Sequence, residues 1–127
     1  MSIKLLEKRF IILINEKLLE SFKIEGGAVD EEKLDAAIDK YLKYDGDDPL
    51  FTMAGILLEQ IILVAPFTPI SGNDRTAYEA ARVFLDMNGY LLEAGEDEIV
   101  SFIMRIPNKQ ENASSIVAWL KKHSKKK

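Results

Sequence analysis

Five consecutive residues, Ser71-Gly72-Asn73-Asp74-Arg75, are the part of this 127-residue chain best suited to chemistry. Gly72 offers backbone with no side chain in a ligand's way. Asn73 can cap a helix or bind a ligand oxygen, and Arg75 brings a forked cation to the same mouth. The stretch ends a loop containing Pro66, Pro69 and Ser71, and opens a strongly amphipathic helix. Unpaired backbone N–H groups at a helix start, together with the positive end of the helix dipole, attract anions. The ligand expected here is a phosphate. The chemistry that such a loop usually supports needs a proton acceptor, and none is in the right place.

No other position supplies the missing base. His123 is the only histidine, and it lies among Lys121, Lys122 and the terminal lysines, where a cation suits the negative end of a helix. One histidine and no cysteine leave no His- or Cys-based metal site, no disulfide and no thiolate chemistry. The acidic stretch Tyr44 to Pro49 lacks the spacing of a calcium loop and reads as a solvated turn. A net charge of -4 argues against nucleic acid. The "KKHSKKK" end is expected to be a frayed, solvated tail, and Trp119 to pack beneath it.

The elements that must position the loop read as helices almost throughout. The first covers about Glu7 to Lys23, with Phe10, Ile11, Ile14, Leu18 and Phe22 on one stripe. Asp30 caps a second helix, buried through Leu34, Ala37, Ile38 and Tyr41. Asp48 and Pro49 open a third, apolar all round, that ends before Pro66 or Pro69. Its stretch from Leu50 to Phe67 approaches membrane-spanning length, but Glu59 and Gln60 at its middle make it a buried core helix instead. The fourth helix begins at Asn73 or Asp74, buries Ala77, Ala81, Phe84 and Leu85, and stops at Gly89 as a left-handed cap. A fifth runs from about Gly95 to Ile106, and a sixth starts near Asn112. No segment alternates as a strand does; Tyr90 to Ala94 is at most an extended link. The fold class is therefore all-α, a six-helix bundle around one apolar helix, with residues 1–123 as a single domain and 124–127 as a basic tail. The charged residues Lys4, Glu7, Lys8 and Arg9 interrupt the apolar start and argue against a signal peptide, and a cytoplasmic setting is expected.

On these residues the chain resembles the death-on-curing (Doc) branch of the Fic family. The family motif reads His-x-Phe-x-Asp/Glu-x-Asn-Gly/Lys-Arg between two helices, followed in Doc-type members by Thr-Ala, a Phe-Leu pair and Asn-Gly. Here stand Gly72-Asn73-Asp74-Arg75-Thr76-Ala77, then Phe84-Leu85 and Asn88-Gly89. Upstream "GGAVDEEKLDAAI" and "LFTMAGILLEQI", and downstream "EDEIVSFIMRI" and "SSIVAWLKKH", are similar to the family in type and spacing. The resemblance implies a helical bundle that binds ATP with Mg²⁺ and transfers a nucleotidyl or phosphoryl group to a protein hydroxyl. It also implies a toxin held off by an antitoxin polypeptide.

The chain departs from that motif where the chemistry lies. Counted back from Arg75 without a gap, the histidine falls on Phe67; with two extra loop residues it falls on Ala65. Loss of such a base typically costs ~10²–10⁴ in rate. Ser71 aligns with the metal-holding acid, and Asp74 occupies the Lys or Gly position. The expected function is thus a catalytically degenerate Doc/Fic-like protein that keeps a phosphate, nucleotide or partner-peptide groove. The alternative is an active transferase in which Asp74 holds Mg²⁺. Asn73 and Asp74 could also simply cap the helix, with Arg75 paired to Asp74, Glu79 or a carboxylate on another helix. A homodimer stays open.

Overall fold

A computed structural model describes residues 2–127. Among them are six helices: α1 (Lys8–Ser21), α2 (Glu31–Leu42), α3 (Pro49–Val64), α4 (Gly72–Met87), α5 (Glu96–Arg105) and α6 (Ala113–Lys122). Four short strands join them: β1 (Ala28–Val29), β2 (Phe67–Thr68), β3 (Tyr90–Leu92) and β4 (Ser124–Lys126). The fold is thus mostly helical, as the periodicity predicts. No helix among the described residues is long and apolar enough to cross a membrane.

Helix boundaries follow local chemistry. The Asp30 carboxylate accepts from the Lys33 N–H and Asn112 from the Ser115 N–H, so α2 and α6 begin where their caps predict. Pro49 sits in the first turn of α3, where a missing N–H costs nothing. Asp48 gives no side-chain cap there, because its backbone is left-handed (φ 49°) and its carboxylate pairs with Lys121 instead. Gly89, with φ 90°, ends α4 as expected.

The α3 helix packs against α2, α4 and α6. It buries Phe51, Met53, Ala54, Leu57, Leu58, Ile61 and Ile62. Opposite it, α4 contributes Ala77, Ala81, Phe84 and Leu85, and α5 contributes Ile99, Phe102 and Ile103. Tyr41 closes this core beneath the first residues of the chain. Its hydroxyl donates to the Leu6 carbonyl at 2.7 Å and accepts from the Leu6 N–H at 2.9 Å.

The strands were not expected, and together with the buried face of α1 they correct three local readings. β1 pairs antiparallel with β2, aligning Ala28 with Thr68 and Val29 with Phe67. β3 pairs with β4, so Tyr90–Leu92 is a strand rather than a link, and Ser124–Lys126 is its partner rather than a frayed tail. The tail is held further by Lys127, whose N–H donates to the Gly89 carbonyl and whose ammonium meets Asp86 at 2.8 Å. Lys121 and Lys125 are also paired, to Asp48 and Glu93, so this basic run is largely neutralised. The third correction concerns α1, whose buried face is Ile11, Asn15 and Leu19. Phe10 stays exposed, and Phe22 lies beyond the helix end and is 65% exposed. Apolar residues ring much of α1, so periodicity alone did not choose the face that meets α4.

Burial pushes the hydroxyls of Tyr41 and Tyr78 up to about 12. For Tyr78 the neighbouring Glu79 adds to that effect. The folded value exceeds the unfolded one of about 10, so the neutral hydroxyls stabilise the fold fully below pH ~10, and that contribution is lost as pH rises through ~12. The urea midpoint should hold to about pH 9.5 and fall steeply above pH ~10. Tyr41→Phe should make the fall shallower, while itself costing roughly 1–3 kcal/mol by orphaning Leu6. A midpoint unchanged to pH 12 would refute the burial account.

Candidate functional site

The loop between α3 and α4 is braced by Asn73. Its Oδ1 accepts from the Phe67 N–H at 2.9 Å, and its Nδ2 donates to the carbonyls of Phe67 and Ile70, each at 2.9 Å. The side-chain amide thus pairs with both backbone groups of Phe67 as a third strand would. Asn73 is 1% exposed and lies inside α4, which begins a residue earlier than expected, after Ser71. Its side chain therefore reaches backward into the loop. It neither caps the helix nor faces open solvent.

The other four predicted residues are placed as follows. Ser71 is exposed and makes no side-chain cap. Gly72 is buried against α1: a β-carbon added there would meet Nδ2 of Asn15 at 3.4 Å and Leu19 at 3.6 Å. The space over its backbone is filled by protein, not left for a ligand. Asp74 is half-buried, and that burial raises its carboxyl above the ordinary range. No group of three His, Cys, Asp or Glu side chains that could hold a metal occurs among the described residues. Arg75 pairs with Glu96 at the first turn of α5, through both terminal nitrogens. That interhelix carboxylate is its partner, rather than Asp74 or Glu79; Glu79 is held by Arg82. The five residues are adjacent, but the polar atoms of Asn73 and the guanidinium of Arg75 are already engaged within the chain.

Neither motif-histidine position is equivalent in this fold. Phe67 is 1% exposed and in the core. Ala65 caps the C-terminus of α3 in the left-handed region (φ 51°) and is half-exposed. His123, at the end of α6, stacks on Trp119 with centroids 4.0 Å apart. Its Nδ1 meets the Trp119 carbonyl at 3.0 Å and its Nε2 meets Glu98 at 3.1 Å. Trp119 in turn lies flat on Phe102 at 4.0 Å. Both residues are thus packing elements of the α5–α6 corner.

Directly beside the loop runs a groove of about 720 Å³ between α1 and β1. Ile12, Leu19, Ile24, Val29 and Phe67 form its apolar lining, and Glu16, Glu20, Lys23 and Glu25 its charged rim. One wall is a strand edge. Phe67 gives both backbone groups to Asn73, so its register partner Val29 has no backbone bond to it. The Asp30 N–H bonds the Pro66 carbonyl, which sets the antiparallel alternation and turns the Val29 N–H and C=O outward. Asn15 sits in the groove floor, only 4% exposed, with Nδ2 donating to Thr76 Oγ1 at 3.1 Å.

Asn15, Glu16, Glu20 and Val29 were not foreseen from the sequence. The one available signal was a polar residue at the centre of an i, i+4, i+8 series, Ile11-Asn15-Leu19. Compared with models of protein families, with curated proteins and with solved structures, the chain finds no match.

Proposed function

We propose that this chain is a Doc/Fic-like six-helix protein, with α3 as its central helix, that has lost transfer chemistry and works by binding a partner polypeptide in the groove between α1 and β1. The carrying observation is the open, strand-edged groove built on Phe67, beside a loop whose Asn73 amide and Arg75 guanidinium are already engaged within the chain. A peptide laid along the outward N–H and C=O of Val29 would complete the backbone pairing of β1. The family resemblance supplies a natural class of partner, an antitoxin-like polypeptide.

The test is selection of a displayed random-peptide library against the folded chain, followed by binding to Ala28→Trp, which places an indole on the exposed groove wall. Enriched peptides should lose at least about tenfold in affinity on the variant, the size of one well-packed contact. Failure to enrich any sequence, or equal binding to Ala28→Trp with its helical circular dichroism intact, overturns the proposal.

A second reading keeps a phosphate at the start of α4. The exposed Ser71 and the cation of Arg75 favour it. In that case Glu96 competes with the ligand, and Glu96→Ala should strengthen ATP binding about tenfold by freeing a charge-assisted donor. Calorimetric titration with and without Mg²⁺ measures it. No binding at millimolar ATP in either protein removes this reading.

A further inference from the structure

We infer that the groove selects a polypeptide carrying a Lys or Arg side chain, and that Asn15 is the residue that reads it. This rests on the peptide-binding proposal above and specifies its chemistry.

The first observation is an acceptor with nothing to accept. Asn15 is buried, and its Nδ2 is turned away toward Thr76 on α4. Among the described residues no donor reaches its Oδ1, and Asn15 lines the groove. Ser124 Oγ, and not this oxygen, is the buried side-chain atom left without a partner among the described residues, so Oδ1 keeps access to the groove as an acceptor free for an incoming N–H.

The second observation is the charge around that oxygen. Glu16 and Glu20 follow on the same helix, one turn apart, and Glu25 lies on the loop after α1. None of the three forms an ion pair among the described residues. Against these three carboxylates the groove sets one ammonium, Lys23. An ammonium or guanidinium donating to Oδ1 of Asn15 would therefore enter a field already negative. Its aliphatic stem would lie on Leu19 and Ile12, as long cationic side chains do. Neighbouring apolar residues of the same segment would meet Ile24, Val29 and Phe67. An acidic segment would meet repulsion, and a purely apolar one would leave the Asn15 oxygen unpaired.

Calorimetric titration with three acetylated heptapeptides tests this. They alternate valine with lysine, with glutamine or with glutamate. The lysine peptide should bind at least about tenfold more tightly than the glutamine peptide, the effect of one charge-assisted hydrogen bond in a negative site. It should weaken as salt rises, and the glutamate peptide should not bind. Glu16→Gln/Glu20→Gln changes only exposed rim residues, and it should reduce lysine-peptide affinity about tenfold and leave the glutamine peptide unchanged. Asn15→Leu should abolish the preference between them.

Equal affinity for the lysine and glutamine peptides, with both lost on Ala28→Trp, overturns the cation selection and leaves peptide binding standing. Lysine-peptide affinity unaffected by Glu16→Gln/Glu20→Gln also overturns it, whether or not Asn15→Leu folds. No binding of any of the three at millimolar concentration overturns both readings.

Discussion

Asn73→Ala is expected to cost about 3 kcal/mol of stability, because the buried N–H and carbonyl of Phe67 lose their partner at once, at roughly 1–3 kcal/mol for each group left unsatisfied, while the Ile70 carbonyl keeps the backbone N–H of residue 73. In a domain whose total stability is on the order of 5–15 kcal/mol, that is a large fraction. The melting temperature should fall by roughly 10 °C. The loss would begin in the loop, since the bonds removed are those that hold Phe67 and Ile70. Asn73→Asp should be nearly as damaging: it keeps the acceptor for the Phe67 N–H but turns a carboxylate on two carbonyl oxygens. A thermal melt of the two variants beside the parent chain decides the matter. Were Asn73 an uncommitted ligand group, both variants would melt with the parent and only ligand affinity would change.

The second large effect separates the two positions at which a general base could be restored. Phe67→His should destabilise by about 3–5 kcal/mol, since it removes a fully buried ring and puts two nitrogens into the core without partners. Ala65→His should cost at most about 1 kcal/mol, because the site is half-exposed and histidine enters the left-handed region more readily than most residues. Chemical denaturation of both variants gives the comparison directly. Any attempt to rebuild transfer chemistry therefore belongs at Ala65, together with Ser71→Asp and Asp74→Lys. If Phe67→His proved as stable as the parent, the strand pairing that carries Phe67 inward would be misassigned.

These expectations show what local sequence could and could not disclose. The starts of α2 and α6 were legible because one side-chain oxygen and one nearby N–H determine each of them. The faces of α2 and α5 were legible because most of their large apolar residues fall on one stripe, although Leu42, Val100 and Met104 stay exposed beside it. α1 was misread because its apolar residues occupy more than one face, and the deciding neighbour, α4, lies far along the chain. The strands were invisible for a related reason. Runs of two or three residues carry no alternation, and their pairing depends on partners brought close only by the packed helices. The site followed the same pattern. Ser71 to Arg75 could be singled out by residue type, but the commitments of Asn73 to Phe67 and of Arg75 to Glu96 are tertiary. The groove is more distant still from sequence reasoning, since Asn15 and Val29 become neighbours only when α1 turns back through Gly26 and Gly27 to form β1.

The sandwich of Phe102, Trp119 and His123 has a practical consequence. Trp119 is the only tryptophan of the chain, so its emission reports on the α5–α6 corner and on nothing near the groove. Far-ultraviolet dichroism, by contrast, sums over all six helices. If the two signals lose amplitude at the same denaturant concentration, the corner and the remaining helices melt as one cooperative unit. If the indole reports earlier, the last helix and its strand peel away first, leaving the groove intact on the residual body.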